Sequence, residues 1–381
     1  MIIYISLWII NVFCILNNRN NRFISLLTYI FMGSLFVSNK GISGDAYIYK
    51  SDFEKQVFSS DLSEIGYTSF EKILCRIGVD SYNGLLVAIF IFCTIFLIIG
   101  LMKFNISLHP LIVMIMPFIF PTYSTAIRFF MASSIMVLAI RFLASRRYVW
   151  YILLVILATL FHRISLVYLL FILCTSDKMV FINANKKLCI RFITFISLLS
   201  VIITIFSGRM PLLNLLIRYA SMFYSDIDNK IEAYMTSTAH YGASIFMIIY
   251  FSGLIFAYLV KKKICLDNDN DYGNENTTAV DILRMADINL NINLILSVML
   301  PFIALNLVFY RLLIIGFISD AIVFGMYMKK RNPTRTRMTI KIETITVSFV
   351  ITSLLWLIPE IVEVNSITIK GLLDASFLNF F

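Results

Sequence analysis

YVWYILLVILATLFHRISLVYLLFILCT, residues 148–175, is an apolar run with His162 and Arg163 set near its middle. As a single helix it would be about 42 Å long at 1.5 Å per residue, against a hydrocarbon core of about 30 Å. The basic residues on either side decide how it is read. They gather in NNRNNR (17–22), at Lys103, in RFLASRR (141–147), DKMVFINANKK (177–187), KKK (261–263) and KKRNPTRTR (329–337). One crossing over 148–175 would put every later cluster, KKK and KKRNPTRTR included, on the far side from the first three, against the preference of Lys and Arg for cytoplasmic loops. A break at His162 and Arg163, with two short segments meeting near the outer face, keeps every cluster in the cytoplasm and both termini outside. Short broken segments are tolerated at that depth where they are buried in protein or line a water-filled cavity.

The composition sets the same frame. Over 381 residues the chain is 60% hydrophobic and 14% charged, with a mean hydropathy of +0.87, outside the range of soluble globular proteins. The expected fold is an all-α polytopic integral membrane protein of about twelve transmembrane helices. They are placed near 2–16, 23–38, 83–102, 106–121, 125–142, 148–161, 164–175, 190–207, 243–260, 288–308, 312–328 and 342–359. Residues 1–381 then form a single membrane domain with two long extracytoplasmic loops, 40–81 and 208–242, and a polar cytoplasmic loop, 261–287. MIIYISLWIINVFCIL has no basic leading region and no small-residue cleavage site, so it reads as the first span. The net charge of +10 lies in short loops, where it reports orientation and not a nucleic-acid partner. Cys14, Cys93 and Cys174 fall in spans, Cys189 and Cys265 border cytoplasmic loops and Cys75 stands alone outside, so no disulfide framework is expected.

Charge at membrane depth is the functional signal. Arg128 opens the helix FFMASSIMVLAI just inside the outer boundary, Arg163 occupies the break, and Arg311 lies in a tight outer turn in NLVFYRLLIIGF. A guanidinium costs roughly 2.5–3.5 kcal/mol at mid-membrane on insertion scales. Three at one level suit a phosphate-rich ligand, because the guanidinium fork matches phosphate oxygens in pairs. Arg209 and Arg218 in the second loop are able to add to them, or to bind headgroups from an amphipathic helix. His162 reads as a general base, a donor to a leaving phosphate, or a polar plug at the break. In the first loop, the carboxylates Asp45, Asp52, Glu54, Asp61, Glu64, Glu71 and Asp80 are interleaved with aromatics including Tyr47, Tyr49 and Tyr67, and Asp45 and Glu64 are the carboxylate candidates. That mixture suits carbohydrate, which shows hydroxyls at its rim and C–H groups on its faces. Asp320 is expected to pair with a helix arginine, and DNDNDYGNENTT (267–278) to be unstructured. Metal-ligand spacings, phosphate-binding glycine loops and nucleophile elbows are absent, so neither a metal nor a cofactor is expected.

In order along the chain, GDAYIYKSDF (44–53), EIGYTSFEKIL (64–74), AIRFFMASSI (126–135), LFHRISLVYL (160–169) and FYRLLIIGF (309–317) resemble the EpsG-like and Wzy-like family of O-antigen, capsule and exopolysaccharide polymerases. The resemblance implies a multi-pass glycosyltransferase of the bacterial inner membrane with its active site facing the periplasm. Its substrate would be an undecaprenyl-pyrophosphate-linked oligosaccharide, its surroundings the lipid bilayer, and its partner a chain-length regulator protein. Asp45 and Tyr49 match the family's first-loop acid and aromatic, and Glu64, Gly66 and Tyr67 its E-x-G-[FY] element. Arg128, His162 and Arg311 match its arginine, histidine and late arginine. Phe129 stands where the family often has Gln, and Ile164 where it often has Ser, with Ser165 one place later. The implied site has Asp45, Glu64 and His162 as catalytic candidates, Arg128, Arg163, Arg311, Arg209 and Arg218 on the pyrophosphate, and Tyr47, Tyr49 and Tyr67 on sugar. Two other readings use the same donors, a lipid-linked oligosaccharide flippase and an O-antigen ligase.

Overall fold

The computed structural model describes residues 2–17, 21–37, 45–56, 64–114, 126–176, 185, 188, 191–196, 198–199, 202, 240–270, 277–300 and 311–328. Among these residues the elements are helical: α1 (Ile2–Leu16), α2 (Arg22–Val37), α3 (Asp45–Glu54), α4 (Ile65–Arg76), α5 (Tyr82–Phe104), α6 (His109–Met114), α7 (Ile127–Ala144), α8 (Tyr148–Phe161), a 3₁₀ helix (Arg163–Thr175), α9 (His240–Asn270), α10 (Thr277–Ser297) and α11 (Ile314–Met328). Tyr82–Phe104, Ile127–Ala144 and Arg311–Met328 are long and apolar enough to cross a membrane, with shorter apolar helices around them. The expected crossing at 342–359 lies outside the described residues, as does nearly all of the loop 208–242.

α7 is the centre. It packs on α5, α8, the 3₁₀ helix, α10 and α11, and residues from Ile127 to Ala144 are buried on all sides of it. A helix buried all round carries no polar stripe. Gly100 of α5 allows the closest approach, since a Cβ there would lie 2.8 Å from Val137 Cγ1 of α7. Small residues let apolar helices meet backbone to backbone where lipid offers no hydrophobic gradient.

The break expected within 148–175 is present. α8 stops at Phe161, and His162 is extended at φ −153°, ψ 109° while its N–H still bonds Ala158 O at 2.9 Å. The chain then folds back, so that Tyr148 Oη meets Thr175 Oγ1 at 2.9 Å and the Tyr151 hydroxyl donates to Tyr168 O at 2.5 Å. The return strand of this hairpin is 3₁₀, not α. Ser165, Tyr168, Phe171 and Cys174 are its buried residues, a spacing of three that matches three residues per turn.

Two expectations change. α9 covers 31 residues, about 46 Å of helix, and so runs through KKK into the segment expected to be unstructured. Lysine is a good helix former, and Lys261 is tied to Asp287 of α10 at 2.6 Å. Among the described residues no arginine pairs with Asp320: its Oδ1 accepts from Asn289 Nδ2 at 2.7 Å and Asn293 Nδ2 at 3.2 Å. α11 places Asp320 several turns from either basic end and against the asparagine face of α10, and two amides satisfy a buried carboxyl oxygen as a charge would.

The hairpin makes a prediction about sidedness. In a variant stripped of native cysteines, a cysteine at Arg163 reacts with a membrane-impermeant thiol reagent on intact cells, and one at Arg146 reacts only after permeabilisation. Equal labelling of both without permeabilisation would sink the hairpin topology.

Candidate functional site

The first loop delivers a carboxylate to the break. Glu64 precedes α4 with φ −133°, ψ 45° and makes no side-chain cap to that helix. Gly66 explains how it arrives: a Cβ there would stand 2.9 Å from both Cβ and the carbonyl oxygen of Leu160. Without a side chain at 66, the start of α4 presses against the end of α8, and Glu64 comes within reach of His162. Glu64 Oε2 takes Arg128 Nη1 at 2.5 Å, and Oε1 takes His162 Nδ1 at 2.9 Å. Both oxygens are therefore committed, and the proton on Nδ1 leaves Nε2 for another partner.

Aromatic rings enclose the pair. The Arg128 guanidinium lies 4.9 Å from the Tyr49 ring centre and 4.6 Å from that of Tyr67, in the range where a ring face attracts a cation. Phe129 meets the His162 ring edge-on at 5.9 Å and 83°. That edge-on contact helps to hold the tilt of the imidazole. Arg128 Nε and the hydroxyls of Tyr67 and Tyr82 are buried without a hydrogen-bond partner among the described residues. Buried polar groups are nearly always paired in native proteins, so these are atoms a ligand would satisfy.

Two carboxyls of the first loop titrate in opposite senses. Burial pushes Glu64 up, but the hydrogen bond from His162 and the charges of Arg128 and His162 outweigh it and hold Glu64 below its ordinary value. Glu71 lies two turns along α4, on the face that buries Tyr67, Thr68 and Leu74. Burial drives it up to about 7, with the Tyr67 hydroxyl and the Arg128 charge opposing and Asp52 reinforcing. The Tyr67 hydroxyl lies beside this carboxyl without reaching hydrogen-bond geometry. No ion pair forms on Glu71 among the described residues.

Glu64, Arg128, His162, Tyr49 and Tyr67 are thus brought together. Tyr47 is 69% exposed on α3 and takes no part in this cluster. Asp45 begins α3, and its side chain lies outside what is described. Arg163 is exposed at the start of the 3₁₀ helix, and Arg311 is half-buried where the chain enters α11. Arg209 and Arg218 fall outside the described residues. Glu71, one of several loop carboxylates in the sequence, joins the cluster. The three- and four-residue steps from Glu64 to Tyr67 to Glu71 would have placed it on the same helix face. Among the described residues no three His, Cys, Asp or Glu side chains gather as metal ligands.

These features belong to a polysaccharide polymerase-like membrane protein. The chain is a member of the EpsG family, which it matches over residues 22–368. Neither a curated protein nor a solved structure matches it.

The opposite shifts predict opposite stability profiles. Glu64 is depressed, so its stabilisation is present above the ordinary carboxylate range and is lost as pH falls below it. Glu71 is raised, so the folded state holds the extra proton between the ordinary range and about 7, and stability falls as pH rises through that window. Melting of the detergent-solubilised protein should show Glu64→Ala destabilised at pH 7 and converging on wild type in acid. Glu71→Gln should melt above wild type at pH 8 and alongside it at pH 4.5.

Proposed function

We propose that the protein joins polyprenyl-pyrophosphate-linked oligosaccharide repeat units into a surface polysaccharide, with undecaprenyl as the carrier and the outer, periplasmic face of the inner membrane as the place. The observation that carries this reading is the single carboxylate, Glu64, bridging Arg128 and His162 between two tyrosine rings. The family supports a glycosyltransferase-like activity.

In this reading the acceptor hydroxyl oxygen attacks the anomeric carbon of the donor unit. The bond from that carbon to the pyrophosphate oxygen breaks, and its electron pair leaves with the pyrophosphate. Pyrophosphate is already a good leaving group, so the protein's share is positioning and charge stabilisation. Arg128 meets the developing charge, His162 keeps the Nε2 lone pair free to accept from a substrate hydroxyl, and Glu64 holds both side chains in place. Arg163 and Arg311 extend the grip along the carrier, with Arg209 and Arg218 as further candidates. Tyr49 and Tyr67 present faces and edges to sugar. Glu64 has both oxygens engaged, so the proton of the acceptor hydroxyl goes to Glu71, whose value near neutrality suits a general base. A chain-length regulator would act on the growing product from outside this site.

Single replacement of Arg128, Arg163 and Arg311 by Ala in the native host, with membrane abundance checked, tests the reading on the surface-polysaccharide ladder. Loss of an oriented charge donor costs about 10²–10³-fold in rate, so Arg128→Ala should display single repeat units and no long chains. A persisting ladder would remove Arg128 from the chemistry. Disappearance of even the single unit from the surface would favour a flippase, and normal chains left unattached to their final acceptor would favour a ligase.

The base has its own test. With lipid-linked units as substrate, the wild-type rate should rise with pH through an acid limb near 7, and Glu71→Gln should lose both that limb and most of the rate. If Glu71→Gln keeps the limb, His162 is the proton acceptor.

A further inference from the structure

A second charged site lies at the other end of the bundle. α7 begins beside Arg128 and ends at Ala144, where α5 also ends, α11 nears its end and α10 has made two turns. Between these helix ends is a cavity of about 260 Å³ lined by Phe104, Arg141, Ser145, Arg284, Met285 and Met326, among others. Arg141 lies with its guanidinium 5.7 Å from the Phe104 ring centre. Arg284 has Nη2 wholly buried and without a hydrogen-bond partner among the described residues.

A simple explanation for arginines here is that they satisfy the open carbonyls of helix C-termini. At α7 those carbonyls are already occupied. Ser145 N–H and Oγ both donate to Arg141 O, Arg146 N–H to Leu143 O, and Arg147 N–H to Phe142 O. A carboxylate is not available either. Among the described residues none lies within ion-pair distance of Arg141 or Arg284, and Asp287, one turn along α10 from Arg284, is held by Lys261 at 2.6 Å. Two guanidinium groups from separate helices thus face one cavity, with no carboxylate in ion-pair reach among the described residues. Lys103, Arg146 and Arg147 stand at the same end of the helices, which makes this the cytoplasmic side by the distribution of positive charge.

We propose that this cavity is a binding site for the phosphate of an anionic lipid headgroup in the cytoplasmic leaflet. The guanidinium forks of Arg141 and Arg284 take phosphate oxygens in pairs, and the Ser145 side chain and backbone complete a polar floor. Phe104, Met285 and Met326 supply the apolar wall along which the glycerol and upper acyl carbons run. Basic pockets between transmembrane helices on the cytoplasmic side hold headgroups in this way. The site uses none of the residues assigned to glycosyl transfer, so it stands or falls separately.

The test uses the full chain in detergent and in lipid nanodiscs. Phosphatidylglycerol is titrated against phosphatidylcholine and, separately, against inorganic phosphate, with thermal unfolding and native mass spectrometry as readouts. The expected result is saturable stabilisation and retained lipid with phosphatidylglycerol alone. The Arg141→Gln/Arg284→Gln variant should bind about tenfold more weakly or worse, equivalent to about 1.4 kcal/mol, while the loop variant Arg146→Gln/Arg147→Gln stays like wild type. Arg141→Lys keeps the charge and loses the fork, so it should fold as wild type and bind at an intermediate level. Stabilisation by inorganic phosphate that the double variant abolishes would keep the phosphate site and overturn the lipid as its source. Equal behaviour of wild type and both pocket variants toward all three probes overturns the site.

Discussion

The Arg128 guanidinium lies between two tyrosine rings with the Glu64 carboxylate in contact, and removing that anion would leave a largely enclosed charge uncompensated. The placement of the first loop follows from this pair. α4 must start where Glu64 reaches α7, and that position lies against the end of α8, where only Gly66 fits. The second oxygen of Glu64 then holds His162, which fixes the free end of the hairpin. One carboxylate thereby joins the loop, the central helix and the break. Charge balance follows as well, since the carboxylate cancels the guanidinium within the cluster.

The sequence contains the break plainly, because exporting KKK and KKRNPTRTR would violate a strong charge bias that no local propensity opposes. It contains Arg128 and His162 for the same reason, as charges where lipid is expected. The 3₁₀ form of Arg163–Thr175 was harder to read. Leucine, isoleucine and tyrosine are compatible with either helix, and the three-residue rhythm of Ser165, Tyr168, Phe171 and Cys174 stands out only once their burial is known. Glu71 was hidden by number, since composition cannot distinguish one loop carboxylate from its neighbours, and only the burial of the α4 face singles it out. Asp320 shows the opposite error. An intramembrane acid was expected to find a base, whereas the asparagines of α10 were closer and two amides sufficed.

α7 connects chemistries that differ in kind. Its outer end holds Arg128 against a carboxylate and rings, and its inner end holds Arg141 against a ring with no carboxylate. The helix between them is almost wholly buried, and its close approach to α5 at Gly100 leaves little room for it to shift on its own. The two ends are therefore joined by one densely packed helix. Side chains in such interiors are packed as densely as in organic crystals.

The return strand of the hairpin is wound differently. A 3₁₀ helix rises about 2.0 Å per residue and an α-helix 1.5 Å, so the 13 residues of Arg163–Thr175 differ in length by about 6 Å between the two windings. With Tyr148 and Thr175 joined at one end and His162 held by Glu64 at the other, the return segment is pinned at both ends, and the longer 3₁₀ winding is the one that spans between them.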